Sequence, residues 1–316
     1  MDNNLFVAFH RPCIGREEIE GVTAALESGW LSTGERTAQF EQEFRTYVAA
    51  PYALAVNSCT AALHLALAAL NIGPGDEVIT TPLTFCATVN TIMHVGATPV
   101  LADIDADGNI DPESIRRKLT TRTRALLPVH YAGLPCDMDE IWKIARENNL
   151  FVVEDAAHAL SASYRGFPVG AGDPVRSYAS DAVAYSFYAT KALTTGEGGM
   201  LTSHSQQLID KARILCLHGI SKDAWNRYSS RGTWYYEVSQ PGFKYNLSDV
   251  QSAIGIPQLR NQEHFREARA AQAHFYNHEF CDFRGLELPR QPLDSVHAWH
   301  LYVLRLRLDE LTIGRD

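Results

Sequence analysis

Phe151-Val152-Val153-Glu154-Asp155-Ala156-Ala157-His158 decides how the rest of the chain is read. A short apolar run, rich in β-branched residues, ends in two acids and passes into small residues. Such a run is too short for a helix and suits a buried strand. Successive side chains on a strand point to opposite faces, so Glu154 and Asp155 diverge. An acid at the C-terminal end of a parallel strand sits where open α/β sheets bind ligands. The plain alternative for this stretch is a solvated strand end followed by a helix cap.

Outward from that strand, the same pattern repeats. Candidate strands span 53–56, 77–80, 99–104, 125–129, 150–154, 182–187 and 199–202, with helical patterns over 60–71, 84–94 and 138–148 between several of them. Apolar strands alternating with helices predict an α/β fold, a mostly parallel central sheet of seven strands with helices on both faces. From residue 249 to 280 the composition turns helical and rich in Gln, Arg and Ala, like a bridge to a second unit. This divides the chain into a large domain over 1–250 and a smaller one over 251–316. The stretch 300–306 reads as a strand, and Gly314-Arg315-Asp316 as a turn with Asp316 ready to cap a helix.

Bulk properties narrow the function. The chain has 316 residues, is 46% hydrophobic and carries a formal net charge of −9. An acidic balance argues against a general nucleic-acid binder. No apolar run approaches the length of a membrane span, and the start lacks the pattern of a secretory signal. The six cysteines, Cys13, Cys59, Cys86, Cys136, Cys216 and Cys281, form no C-x-x-C pair and no zinc-ligand spacing. They read as reduced thiols of a cytoplasmic protein, with no metal site expected.

Three further segments carry chemistry. Asn57-Ser58-Cys59-Thr60-Ala61-Ala62-Leu63-His64 takes a strand into small polar residues and then into an apolar helix. Exposed N–H groups at a helix start bind anions, though an ordinary capped helix looks the same. Tyr185-Ser186-Phe187-Tyr188-Ala189-Thr190-Lys191 delivers one lysine into a loop of small residues ending Gly196-Glu197-Gly198-Gly199. Most lysines are solvated surface groups. A lysine that forms a Schiff base needs a low-dielectric pocket that lowers its pKa. Lys191 follows Asp155 by 36 residues, one strand–loop unit later, so both can face one ligand. An acid there can keep a pyridinium nitrogen protonated, with His158 orienting it or touching the ring. Finally, Thr81-Pro82-Leu83-Thr84-Phe85-Cys86-Ala87-Thr88 enters a helix with Phe85 placed either in the core or against a flat ring.

Taken in order, these segments resemble the DegT-type sugar nucleotide aminotransferases, fold-type-I pyridoxal-phosphate enzymes. The resemblance covers nearly the whole chain. It includes Ser28-Gly29-Trp30-Leu31-Ser32-Thr33-Gly34, Gly73-Pro74-Gly75-Asp76, Pro128-Val129-His130-Tyr131-Ala132-Gly133, Thr194-Thr195-Gly196-Glu197-Gly198-Gly199-Met200 and Gly242-Phe243-Lys244-Tyr245-Asn246-Leu247-Ser248-Asp249. It implies that Lys191 carries pyridoxal 5′-phosphate as a Schiff base and that Asp155 pairs with the ring nitrogen. It further implies His158 near the phenolic oxygen, Phe85 stacked on the ring, and Cys59, Thr60 and Ser186 around the phosphate. Cys59 stands where most members have glycine, a departure that a backbone contact survives. Asn246 matches a position that reaches the phosphate of a neighbouring subunit, which implies a homodimer with shared active sites.

The implied reaction moves an amino group from glutamate to a nucleotide-linked keto-sugar in polysaccharide or lipopolysaccharide sugar synthesis. Related sugar dehydratases carry histidine at the lysine position, so Lys191 favours transamination. The His297-Ala298-Trp299-His300 stretch and the Lys244-Tyr245-Asn246-Leu247 form of the dimer motif look like enzymes that make 4-amino-4-deoxy-L-arabinose on UDP. The family also continues past the position of Asp316, so the resemblance implies an incomplete small domain and a 301–306 strand without partners. That leaves a non-catalytic or regulatory homologue as a second reading.

Overall fold

The computed structural model describes residues 8, 10–220 and 237–311; the turn and helix start expected at residues 314–316 lie outside the described residues. The first nine strands are β1 (Tyr52–Val56), β2 (Glu77–Thr80), β3 (Thr98–Leu101), β4 (Thr123–Leu127), β5 (Phe151–Asp155), β6 (Ser163–Tyr164), β7 (Phe167–Pro168), β8 (Ala182–Ser186) and β9 (Gly199–Ser203). All but β6 and β7 form one seven-stranded sheet in the order β1-β9-β8-β5-β4-β2-β3. β9 runs antiparallel to both of its neighbours and the other pairings are parallel. The mostly parallel α/β sheet read from the sequence is therefore present.

The apolar runs are continuous because both faces of the sheet are covered. Val153, Ala182, Ala184, Leu54 and Val56 point into one core, built with α3 (Cys59–Ala69) and, later in the chain, residues 206–216. Their neighbours Val183, Tyr185, Ala53 and Ala55 point the other way, onto Phe40 and Phe44. Phe40 and Phe44 belong to the second of two N-terminal helices, α1 (Arg16–Glu27) and α2 (Glu35–Tyr47). Val152 joins a third core beneath residues 138–148. In α3, nine of eleven residues are buried, which explains why its sequence shows no polar face.

The remaining helices are α4 (Cys86–His94), α5 (Pro112–Lys118), α6 (Met138–Asn148), α7 (Gln206–Cys216), α8 (Asp249–Arg260) and α9 (Gln262–Phe280). The single helix expected over 249–280 is two. Asn261, at φ −93° and ψ 4°, ends α8 and begins α9. The buried Gln262 side chain then turns to the Ala192 carbonyl at 2.9 Å, tying the break to the Lys191 loop. Among the described residues, no helix is long and apolar enough to cross a membrane.

Three short strands follow: β10 (Leu286–Glu287), β11 (Ser295–Val296) and β12 (Arg305–Leu306). The strand expected over 300–306 is reduced to β12, and it is not without a partner, because β10 pairs with it. Upstream of β12 the backbone is committed elsewhere. Trp299 sits at φ +52°, and the Ala298 and Leu301 amides donate to the Gly133 and Ala132 carbonyls at 2.9 and 3.1 Å. A ladder cannot form through a segment whose amides already anchor it to another loop.

Candidate active site

The C-terminal ends of β1, β5 and β8 lie on one edge of the sheet, beside the start of the antiparallel β9. Asp155 ends β5 and is 5% exposed. Its Oδ2 accepts from the Thr88 hydroxyl at 2.8 Å and its Oδ1 from the Ala157 amide at 3.1 Å. Burial raises its pKa above the usual carboxylate value, while these donors and Lys191 oppose the shift. Glu154 points to the other face, as strand alternation requires, and meets His130 Nε2 at 2.8 Å. His130 Nδ1 accepts the Cys136 amide at 3.1 Å, so Nε2 carries the proton and donates to Glu154.

Lys191 follows β8 in a loop closed on itself. The Phe187 amide donates to the Gly198 carbonyl, the Thr195 amide to the Phe187 carbonyl and the Lys191 amide to the Tyr188 carbonyl, all at 2.8–2.9 Å. Burial pulls the Lys191 pKa below its ordinary value, with Cys59 and Asp155 opposing. Desolvation raises the Cys59 thiol well above its usual range, and nearby Asp155 adds to this. The thiol therefore stays protonated at neutral pH.

Ser58 caps α3 by accepting the Ala61 amide at 3.0 Å, and places Cys59 and Thr60 in the first turn. The start of β9 passes close against this turn: a Cβ on Gly199 would lie 2.5 Å from the Ser58 carbonyl carbon. Only glycine permits that approach. Ser186 ends β8, buried, with Oγ 3.4 Å from the Tyr188 amide. Phe85 precedes α4, the helix that carries Thr88, and is 75% exposed, leaving its ring open.

His158 lies 4.4 Å from His300, ring to ring. Its Nδ1 is buried without a hydrogen-bond partner among the described residues. Burial, aided by Lys191, lowers the His158 pKa to about 3. Burial lowers His300 to about 2, with His158, Lys191, Arg269 and His10 all adding to the effect.

Cys59, Asp155, His158 and Lys191 are thus brought into electrostatic contact, with Ser186 and Thr60 on adjoining element ends. Asn246 is set apart from them. It bridges Val56 by its backbone, donates to Thr33 Oγ1 at 2.7 Å and accepts from Lys244 Nζ at 2.5 Å. Sequence reasoning passed over Thr88 and His300. Thr88 ends a quoted motif, one turn of helix beyond Phe85, and that spacing was its signal.

A model of the DegT/DnrJ/EryC1/StrS aminotransferase family matches residues 12–313. The chain belongs to this family. It is 53% identical over 312 residues to the spore coat polysaccharide biosynthesis protein SpsC of Bacillus subtilis, covering 98% of this chain and 78% of that protein. The fold superposes on Spr1654 of Streptococcus pneumoniae in its PMP form, with TM-score 0.88 and 32% identity over 96% of this chain and 79% of that one. Helicobacter pylori PseC, an aminotransferase of pseudoaminic acid biosynthesis, gives TM-score 0.87 and 30% identity over 96% and 78%.

Spr1654 is also solved in a PLP form, and the cofactor of this sugar aminotransferase family is pyridoxal 5′-phosphate. The residues present fit that group. A buried carboxylate with a raised pKa is stabilised by a cationic ring nitrogen. The unpartnered His158 Nδ1 is free to meet a polar ring substituent. The exposed face of Phe85 offers a stacking surface for a flat molecule.

Proposed function

We propose that this sugar aminotransferase takes its amino group from glutamate and delivers it to a nucleotide-linked keto-sugar, a UDP-4-keto sugar. The observation that carries this reading is the half-buried Lys191, held within electrostatic reach of Asp155 at the end of β5 and Cys59 at the start of α3. When bound, pyridoxal phosphate supplies a conjugated cationic ring that accepts the electron pair released when the donor's α C–H bond breaks. Lys191 holds the cofactor covalently and then, as a free amine of lowered pKa, takes the α-proton and returns it to the opposite partner. Asp155, whose ionised form is favoured by the Thr88 and Ala157 donors and by a cationic ring, holds a proton on the ring nitrogen. His158 orients the ring, and Phe85 stacks on it.

The phosphate is received by the α3 start at Cys59 and Thr60, by Ser186, and by Asn246 reaching across from a second copy, so the working form is a homodimer with shared sites. Lysine at 191, where related dehydratases carry histidine, supports transamination over loss of a hydroxyl. Residues 251–316 supply the bridging helix and the smaller C-terminal domain, and the enzyme works in the cytoplasm. The test is a panel of keto-sugar nucleotides incubated with enzyme, cofactor and glutamate. Production of 2-oxoglutarate with UDP-4-keto sugars is expected. Amino transfer confined to other sugars, or to a donor other than glutamate, refutes the proposal.

A further inference from the structure

Four chain segments bring nitrogen-bearing side chains together beside Lys191: His10 before α1, His158 after β5, Arg269 on α9 and His300 in the 297–300 loop. The His158 and His300 rings lie 4.4 Å apart, tilted by 41° to each other. His10 Nε2 and His158 Nδ1 are each buried without a hydrogen-bond partner among the described residues. Arg269 makes no ion pair with any described residue. Its Nε donates to the Ala298 carbonyl at 2.9 Å and its terminal nitrogen reaches Ser161 Oγ at 3.5 Å. It thereby ties the His300 loop to the turn after His158. Gly133 fixes the other side of that loop, where a Cβ would lie 2.7 Å from the His158 carbonyl oxygen and 3.0 Å from Ala298 Cβ.

Desolvating several cation-capable groups together is unfavourable; Glu263, the acid that acts on Arg269, already accepts from the Tyr47 hydroxyl and from Arg266, and the unsatisfied buried ring nitrogens add to the cost. The histidines meet it by remaining neutral; the guanidinium cannot. An anion bound among them offsets the cost. We infer that His300 and His10, with Arg269 and the ring-orienting His158 as positioning residues beside them, form a subsite for the α-carboxylate of the amino donor.

The inference rests on the aminotransferase reading above, in which Lys191 removes the α-proton. The α-carboxylate is one bond from that carbon, so it must lie beside Lys191, where this cluster sits. The diphosphate of a nucleotide sugar is separated from the reacting keto carbon by the sugar ring. An anion arriving between neutral imidazoles also raises their proton affinity, so donor binding takes up a proton.

The test measures binding of glutarate, an unreactive dicarboxylate, to the cofactor-loaded enzyme by calorimetry in buffers of different ionisation enthalpy. Inorganic pyrophosphate serves as the probe for a diphosphate site. Binding is read without turnover, so the result stands whichever keto-sugar the enzyme aminates. We expect glutarate uptake of roughly one proton per site, and about 10- to 100-fold weaker affinity in His300→Phe. In His300→Asn, which keeps an N–H donor that cannot titrate, affinity partly recovers while proton uptake falls. A purely structural role for the ring gives no such split. Arg269→Met is expected to weaken glutarate binding in the same direction. Unchanged glutarate affinity and proton uptake in His300→Phe, or a loss confined to pyrophosphate, overturns the inference.

Discussion

The Thr88 hydroxyl donates to Oδ2 of Asp155 at 2.8 Å, and Thr88 in turn lies 2.6 Å from the Thr84 hydroxyl. This short chain joins the start of α4, next to Phe85, to the acid at the end of β5. Burial pushes the Asp155 proton on, and Thr88 is the strongest of the groups that push it off. Thr88→Val keeps the shape and removes that donor. A hydrogen bond to a charged acceptor is worth roughly 1.5–3 kcal/mol, so cofactor affinity is expected to fall about 10- to 100-fold. Fluorescence titration of the cofactor-free protein reads this directly. Thr88→Ser should bind close to the parent. Equal affinity in the Val variant would show that Thr88 only fills space.

Lys191 and Asp155 separate by the kind of defect each leaves. Lys191→Ala is expected to abolish borohydride-trappable cofactor and to slow turnover at least about 10³-fold. Asp155→Asn retains the cofactor but leaves the ring nitrogen without an anionic partner. Its slow step is then the breaking of the α C–H bond, seen as a larger isotope effect with α-deuterated glutamate. A Lys191→Ala enzyme that transaminates at the parent rate, or an Asp155→Asn enzyme with unaltered single-turnover rates, removes the assigned role.

Asp249 closes the Gly242–Asp249 motif, yet its contacts are those of a staple. It is 3% exposed, and its carboxylate accepts from the Gly34, Arg36 and Thr37 amides and from the Thr37 hydroxyl at 2.7–3.2 Å. It thus caps α2 from the start of α8 and anchors the sheet face that Phe40 and Phe44 cover. Asp249→Ala strands several buried donors and is expected to destabilise the chain by about 3 kcal/mol. The urea midpoint should fall with an unchanged slope. A midpoint equal to the parent's would mean that water replaces the carboxylate without loss.

The sheet was legible because its strands are apolar on both faces. The run Phe151–Asp155 carried both the strand and the acid at its end, and Met138–Asn148 carried its helix to the residue, with Asp137 capping it through the Glu140 amide. What could not be read was set by long-range partners. The 300–306 segment has strand composition, but its amides go to Ala132 and Gly133, some 170 residues earlier. Asn261 interrupts a helical composition where Gln262 reaches the Lys191 loop. His300 was quoted inside a family-like stretch, yet only the fold brings it against His158. Local pattern reports periodicity and caps; it does not report which distant loop consumes an amide.

The neighbouring rings of His158 and His300 predict an acid-sensitive fold of definite sign. Burial holds His158 near a pKa of about 3 and His300 near about 2, against an ordinary value of 6.5. Between those values and 6.5 the unfolded chain binds protons that the folded chain does not. Stability from the pair is therefore complete above pH 6.5 and is lost as pH falls toward 3. At 1.36 kcal/mol per unit, each histidine contributes about 2 kcal/mol of loss between pH 6.5 and 4.5. Asp155 acts in the opposite sense. Its raised pKa lets the folded chain keep a proton above 3.8, so its contribution is lost as pH rises through that window. Comparing cofactor-free parent with His300→Phe isolates the histidine term, because Asp155 is common to both. The difference in urea-derived stability should shift in favour of the variant by about 2 kcal/mol on going from pH 6.5 to 4.5. A difference that stays constant over that range would mean that His300 titrates normally and is open to water.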